Sequence, residues 1–428
     1  MQLTKYLALF NSADDRKVML YSTRRCSLVR LDRETLEQIS RGEHDPETCN
    51  ALASVGIMVD DLDREREEIR VALADALQRT ARFSLTLLLN LDCNLACPYC
   101  FEDNFRHRQY MGEETARKIL DQLLLPQMQL GRAVHLDFYG GEPLLSLPML
   151  KNIASTLFDA SLKHGVEFSF DIYTNGTLVS RSTVEELLSL GLRALRMTID
   201  GPKEVHNRQR PFVSGKGSFD LVVANLKAVY ELVAVQIGAN FSAENWREFP
   251  KMLDHLLAAG VKPQMLDVVH FSPIMPKSGA EVGGNHGGHC MNSTEPWLME
   301  AVLSLREEAI RRGFPVAKVK SSACVVDFDN DFVVNYDGTF YKCPIFMGYP
   351  ELSVGTIETG IIDYSNSHAL DRWKCDDCLD CPYLPICYGG CRFFAMQRGG
   401  TVADLDCRRE YFDAMLEKLI LQEQRLGS

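Results

Sequence analysis

From Phe83 onward, short apolar runs of β type alternate with amphipathic segments of helical period. The candidate strands are Ser84–Leu91, Val134–Tyr139, Glu167–Tyr173, Ala194–Ile199, Ala234–Phe241 and Met265–His270. Between them lie helix-period stretches at Glu113–Leu125, Leu147–His164, Ser182–Leu190, Phe219–Leu232 and Asn245–Ala258. Strand–helix repetition of this kind predicts an α/β fold, a parallel sheet curled toward a barrel of six β/α units, with its active site at the C-terminal ends of the strands. Upstream, Tyr6–Phe10 and Val18–Ser22 read as strands around the polar turn Asn11–Arg16, helical patterns follow at Arg33–Ile39 and Glu47–Leu52, and an apolar step begins at Gly56. The stretch Asp60–Arg82 is charged, with sparse apolar positions, and predicts a surface helix or linker. A helix at Glu295–Arg312 precedes a tail of little periodicity. The pattern divides the chain at 1–62, 63–82, 83–290 and 291–428.

At 428 residues the chain exceeds the roughly 250–300 that one core serves, which predicts two or three domains. Hydrophobic residues at 46% and charged residues at 24% are those of a globular protein, and no apolar run nears the roughly 18 residues that span a bilayer. The opening seventeen residues lack a cleavage site and an adequate apolar run for export, so a cytoplasmic chain with no membrane partner is expected. A net charge of -12 argues against nucleic acid as partner. The 14 cysteines then stay reduced, and metal ligation is the economical reading.

Their spacing sharpens that reading. Cys93, Cys97 and Cys100 form a C-x3-C-x2-C loop directly after the first barrel strand. Three such thiolates suit three irons of a [4Fe–4S] cube and leave the fourth iron open; a structural zinc loop is the alternative, although no fourth ligand stands nearby. Gly140-Gly141-Glu142-Pro143 closes the second strand, Asn175 follows the third and Asp200 the fourth. Together these motifs resemble the radical S-adenosylmethionine (SAM) superfamily. The resemblance implies that SAM chelates the open iron through its amino and carboxylate groups, and that one electron from an external reductant cleaves it to methionine and a 5′-deoxyadenosyl radical. It further implies that Gly140, Gly141, Glu142 and Pro143 meet the SAM ammonium, that Tyr99 and Phe101 lie near the adenine, that Asn175 reaches the ribose, and that Arg210 takes the carboxylate. Turn-forming or ion-paired roles for Asn175, Asp200 and Arg210 stand beside those.

The tail carries Cys324, Cys343, Cys378, Cys381, Cys387, Cys391 and Cys407 in the order and spacing of SPASM domains, which hold two auxiliary [4Fe–4S] clusters; a zinc ribbon over Cys378–Cys391 is the alternative. By resemblance, Cys378, Cys381, Cys387 and Cys407 hold the outer cluster and Cys324, Cys343 and Cys391 the inner one, three [4Fe–4S] clusters in all. The inner cluster lacks an evident fourth ligand: Cys290, Cys375 or an open site would complete it. Cys26 and Cys49 read as buried small hydrophobes, and His286 and His289 as loop polar groups. In sulfatase maturases the residue after the cysteine equivalent to Cys343 is an aspartate base; here it is Pro344, which accepts no proton.

The front module resembles the winged-helix-like element by which maturases of ribosomally made peptides bind a precursor's leader as an added strand; a DNA-binding winged helix, or a module that only packs on the barrel, is the alternative. Ser22–Cys26 is similar to geopeptide-type maturases. The expectation is therefore a peptide maturase, of sactipeptide, ranthipeptide or geopeptide type, that forms a thioether or another cross-link; formylglycine formation is the alternative.

Overall fold

The computed structural model describes residues 1–12, 14–43, 45–78, 81–275 and 294–425. They form two compact units, one of Thr80–Ala317, Asn330–Tyr364 and the last residues, the other of Met1–Arg79, Lys318–Asp329 and Ser365–Glu423.

In the first unit, six parallel strands, Arg82–Asn90, Ala133–Gly140, Phe168–Thr174, Leu192–Thr198, Ala234–Phe241 and Val268–Pro273, lie side by side in chain order. The expected barrel sheet of β/α units is thus present. Alternate residues such as Phe83, Leu85 and Leu87, Val134, Leu136 and Phe138, and Phe170 and Ile172 turn to one face, where they join Leu150, Leu157, Phe219 and Leu253 of the covering helices in one core. Leu147–His164 is helical as expected and ends on Gly165 in the left-handed region, at φ 65°. Among the strands that escaped the sequence reading, Asp331–Val334 runs parallel beside the first strand, and Phe340–Tyr341 pairs antiparallel with it. At four and two residues they are too short for a period-two signal. A short helix, Lys203–Gln209, was likewise hidden by its polar sequence.

The second unit opens with an antiparallel sheet of Leu7–Asn11, Lys17–Ser22 and Ser27–Asp32, followed by helices Arg33–Ser40 and Pro46–Ser54. Asp45 caps the second helix by accepting from the Thr48 amide at 2.8 Å. The charged stretch is indeed a helix, Leu62–Gln78, but it buries a stripe. Ile69, Leu73 and Leu77, four residues apart, pack with Tyr6, Trp373, Leu379, Leu384 and Tyr388. The Tyr6 hydroxyl donates to the Leu379 carbonyl at 2.8 Å, and Thr23 to that of Pro382 at 2.5 Å. Front module and cysteine-rich tail therefore share a core, and the helix is more than a linker.

Within the same unit Arg392, fully buried, pairs with Asp327 and donates to the carbonyls of Ala369 at 3.1 Å and Val402 at 3.2 Å. Asp327→Ala strands that guanidinium in a dry site, and about 3–5 kcal/mol of stability should go with it. A thermal melt within a degree of wild type would contradict this account. Among the described residues no helix is long and apolar enough to cross a membrane.

Candidate active site

At the end of the first strand the chain enters the loop that carries Cys93, Cys97 and Cys100. Three side chains pin it. Asn90, fully buried, donates to the Glu142 carbonyl at 3.1 Å and to Ser146 Oγ at 2.8 Å. Tyr110 donates to Asp92 at 2.6 Å, and Arg106 to the Leu95 carbonyl at 2.9 Å. The loop backbone also bonds the 211–213 segment, from the Ala96 amide to Pro211 O at 2.8 Å and from the Val213 amide to Asn94 O at 3.0 Å.

The Gly140–Pro143 turn abuts this loop. The Glu142 amide donates to Asp92 O at 2.8 Å, and that of Gly141 to Asn90 O at 3.3 Å. Gly140 sits at φ 108°, and a Cβ there would lie 2.2 Å from Asn90 O. At Gly141 a Cβ would meet Asp92 O at 2.0 Å, so only glycine permits the approach. Glu142 is fully buried and accepts from the amides of Leu144 at 3.0 Å and Asn175 at 2.8 Å and from Thr174 Oγ1 at 2.9 Å. Burial raises its pKa, while those donors pull the other way. Its side chain thus ties the turn to the end of the third strand.

Asn175 sends Nδ2 to Asn94 Oδ1 at 2.8 Å and to Cys93 Sγ at 3.7 Å, and accepts from Thr177. Asn94 in turn donates to Thr177 Oγ1 at 2.8 Å. Asp200, Arg210 and Tyr99 form one buried group: Arg210 donates to Tyr99 Oη at 2.6 Å and to Asp200 at 3.5 Å, Tyr99 donates to Asp200, and the Asn240 amide donates to Asp200 at 2.6 Å. His206 accepts from the Asp200 amide at 3.1 Å, and burial, helped by Arg210, lowers its pKa to about 3, so the ring is neutral. The ion-paired alternative for Asp200 and Arg210 is what the structure displays, and the polar end of Tyr99 belongs to it. Phe101 packs edge-on to Phe105 at 6.5 Å. Asn94, Thr177, Asn240 and His206 were not singled out from sequence, since amides and neutral histidines carry no spacing code.

The donor set fits a cluster better than a single ion. Burial pushes Cys93 up to about 11 and Cys100 up to about 12, and moves Cys97 the same way, so a thiolate triad here calls for cationic charge beside it. Among the described residues, the one group of metal-ligating atoms all within 4.8 Å of one another is His135, Asp137 and Asp171. The loop sulfurs are thus more widely spread than the roughly 3.8 Å that separates thiolates around tetrahedral zinc at about 2.3 Å. Around the loop, Glu102 Oε1 and Arg210 Nε are buried without a hydrogen-bond partner, an acceptor and a donor suited to a zwitterionic guest.

In the tail, the Cys378 thiol hydrogen-bonds Cys375 and feels Cys387 and Cys381, so Cys375 stands with the outer set. Arg409 hydrogen-bonds Cys381 and lies near Cys407. Cys391 is pushed up to about 12, by burial first and then by Cys324 beside it. Cys343, in the barrel unit after Phe340–Tyr341, acts on Tyr139 as Cys100 does. Cys290, His286 and His289 lie outside the described residues. Cys49 is buried as expected, whereas Cys26 is exposed at φ 50°, held in the turn before Ser27–Asp32 rather than in a core.

Residues 89–256 match the Radical SAM superfamily family model. Among curated proteins, the chain is 28% identical to an uncharacterized protein of Methanocaldococcus jannaschii, over 70% of this chain and 96% of that one. It is 24% identical to a cysteine-type anaerobic sulfatase-maturating enzyme of Clostridium perfringens, over 77% and 94%. Among solved structures, anSMEcpe with bound AdoMet and Cp18Cys peptide superposes with a TM-score of 0.61 at 20% identity, covering 80% of this chain and 99% of that one. SuiB of Streptococcus suis bound to precursor peptide SuiA gives 0.54 at 15%, covering 96% and 99%. The matched domain contains the cysteine loop, the glycine turn that buttresses it and the strand ends around both, and this enzyme carries a radical SAM domain.

Proposed function

We propose that this enzyme modifies a peptide by hydrogen-atom abstraction, with SAM and a [4Fe–4S] cluster at Cys93, Cys97 and Cys100. The observation that carries the proposal is the half-buried triad of thiols, each raised by desolvation, in one loop against the Gly140–Pro143 turn. When bound, SAM and its cluster supply a carbon radical able to take hydrogen from an unactivated carbon. Asn175 and Asn94 hold the loop at Cys93, Glu142 clamps the turn, and Arg210 retains one open donor, Nε, for a carboxylate. Cys378, Cys381, Cys387 and Cys407 would hold a second cluster, and Cys324 and Cys391 would be ligands of another.

The fold of SuiB with its precursor peptide and of anSMEcpe with Cp18Cys peptide supports a peptide substrate. In this reading the front sheet binds a precursor's leader, and the product is a thioether. Forming that bond removes a hydrogen atom from carbon, a proton from the thiol and one further electron, which the auxiliary cysteine sites would take up. The sulfatase-maturating relatives favour formylglycine formation as a second reading, against which Pro344 stands. Anaerobic reconstitution should load about twelve irons and yield 5′-deoxyadenosine with dithionite. A count near four, or no SAM cleavage, would overturn the cluster assignment. Mass spectrometry of a reacted peptide separates the products, since a thioether costs only two hydrogens whereas formylglycine loses the sulfur.

A further inference from the structure

The parallel sheet is apolar toward its helices and polar on the other face. Parallel sheets are ordinarily apolar on both sides, and closed barrels fill their interior with Val, Ile and Leu. Here the inner positions of the first three strands are Ser84 and Thr86, His135 and Asp137, and Ser169 and Asp171, in register with one another, and the same face continues through Arg196, in register with Tyr173 and Gln236, to His270. A polar interior marks a place built for a polar guest.

Its middle layer is specific. Asp171, fully buried, is held by Arg193 at 2.5 Å and Arg196 at 3.2 Å. His135 bonds Ser169 at 2.9 Å and lies 3.6 Å from Asp137. Arg196 also stacks on Tyr173 at 4.5 Å, and Tyr173 meets Tyr139 edge-on at 5.1 Å. Besides Ser84 Oγ, two atoms of the charged groups remain buried without a hydrogen-bond partner: Asp137 Oδ1, an acceptor, and Arg196 Nε, a donor.

A metal ion is the first alternative, because His135, Asp137 and Asp171 bring ligand atoms within 4.8 Å. The charges oppose it. Asp137 and Asp171 supply two negative charges and Arg193 and Arg196 two positive ones, so the layer is already neutral and a dication would add two charges without partners. A neutral guest that accepts from Arg196 and donates to Asp137 satisfies both orphans at once, and a carboxamide does so. The layer lies two to three residues below the strand ends at Thr198 and Gly140, about 7–10 Å. A long side chain covers that depth, whereas a peptide backbone stays at the rim.

We propose that Asp137 and Arg196 form a carboxamide-recognising subsite that draws a glutamine-type side chain of the peptide into the barrel. This deepens the peptide-modifying reading and rests on it. The test measures binding, without cofactor, of three short peptides that differ at one residue, glutamine, glutamate or norleucine, to the whole chain by isothermal titration. The glutamine peptide should bind at least about tenfold tighter than either of the others, and Arg196→Gln and Asp137→Asn should each erase that preference. Equal binding of all three by wild type overturns the subsite whatever the variants do, as does selectivity that survives both substitutions. Tight Mn²⁺ binding lost in Asp137→Asn would also overturn it, in favour of a metal site. Circular dichroism melts check that both variants fold; should one fail, wild-type selectivity alone decides. Because SAM cleavage is not the readout, failure here leaves the cofactor assignment standing.

Discussion

Replacing Cys93, Cys97 and Cys100 together by alanine should reduce SAM cleavage to the rate of reductant alone and lower the iron content by about four of roughly twelve atoms. The three thiols sit in one loop after the first strand, and the tail cysteines belong to other segments, so the auxiliary iron should remain. The absorbance and low-temperature EPR of the remaining clusters give the second readout. Persistent 5′-deoxyadenosine would remove the loop from the chemistry, and loss of all iron would mean that the cysteine sets do not assemble separately. Alanine at three half-buried loop positions removes only sulfur, so misfolding is not the expected cause of a null, and a circular dichroism melt checks it.

Gly141→Ala should approach the same loss without touching a ligand. The added methyl would meet three backbone atoms of Asp92 at 2.0, 2.5 and 3.0 Å, and backbone one residue from Cys93 has no side chain to swing aside. Relief therefore comes from moving the cysteine loop. A displacement near 1 Å costs about 10²-fold in rate when geometry sets the reaction, and overpacking about 1–3 kcal/mol in stability. Gly112→Ala is the control, since a Cβ there has nothing within 4 Å. Equal turnover by the two variants would show that the glycine turn does not hold the loop.

Most long elements were legible because period carries them, although the sixteen-residue helix Arg409–Gln424 in the tail was missed. Leu147–His164 appears with its predicted bounds, and all six barrel strands fall within a few residues of expectation. Ser27–Asp32 was lost because both faces are half-exposed and the alternation disappears. The cysteine loop and glycine turn were legible because ligand spacing and close approach are local constraints. The hydrogen-bonded group of Tyr99, Asp200, Arg210 and Asn240 spans positions 99 to 240 and is joined only by the folded sheet. For the same reason the buried stripe of Leu62–Gln78 looked like a linker: its partners, Trp373 and Leu379, lie some three hundred positions later.

That distance orders the protein's birth. The front residues finish emerging long before Trp373, Leu384 and Tyr388 exist to cover Ile69, Leu73 and Leu77, whereas the barrel strands find their neighbours as they appear. At about 5–20 residues per second, the wait from residue 79 to 365 is roughly 15–60 s. During it an apolar helix stripe is exposed, and contacts of such sequence separation form late in any case. Production in a host should therefore respond to trigger-factor-like holdases and to slower growth more than the barrel alone would, because the stripe of Ile69, Leu73 and Leu77 waits for partners made much later.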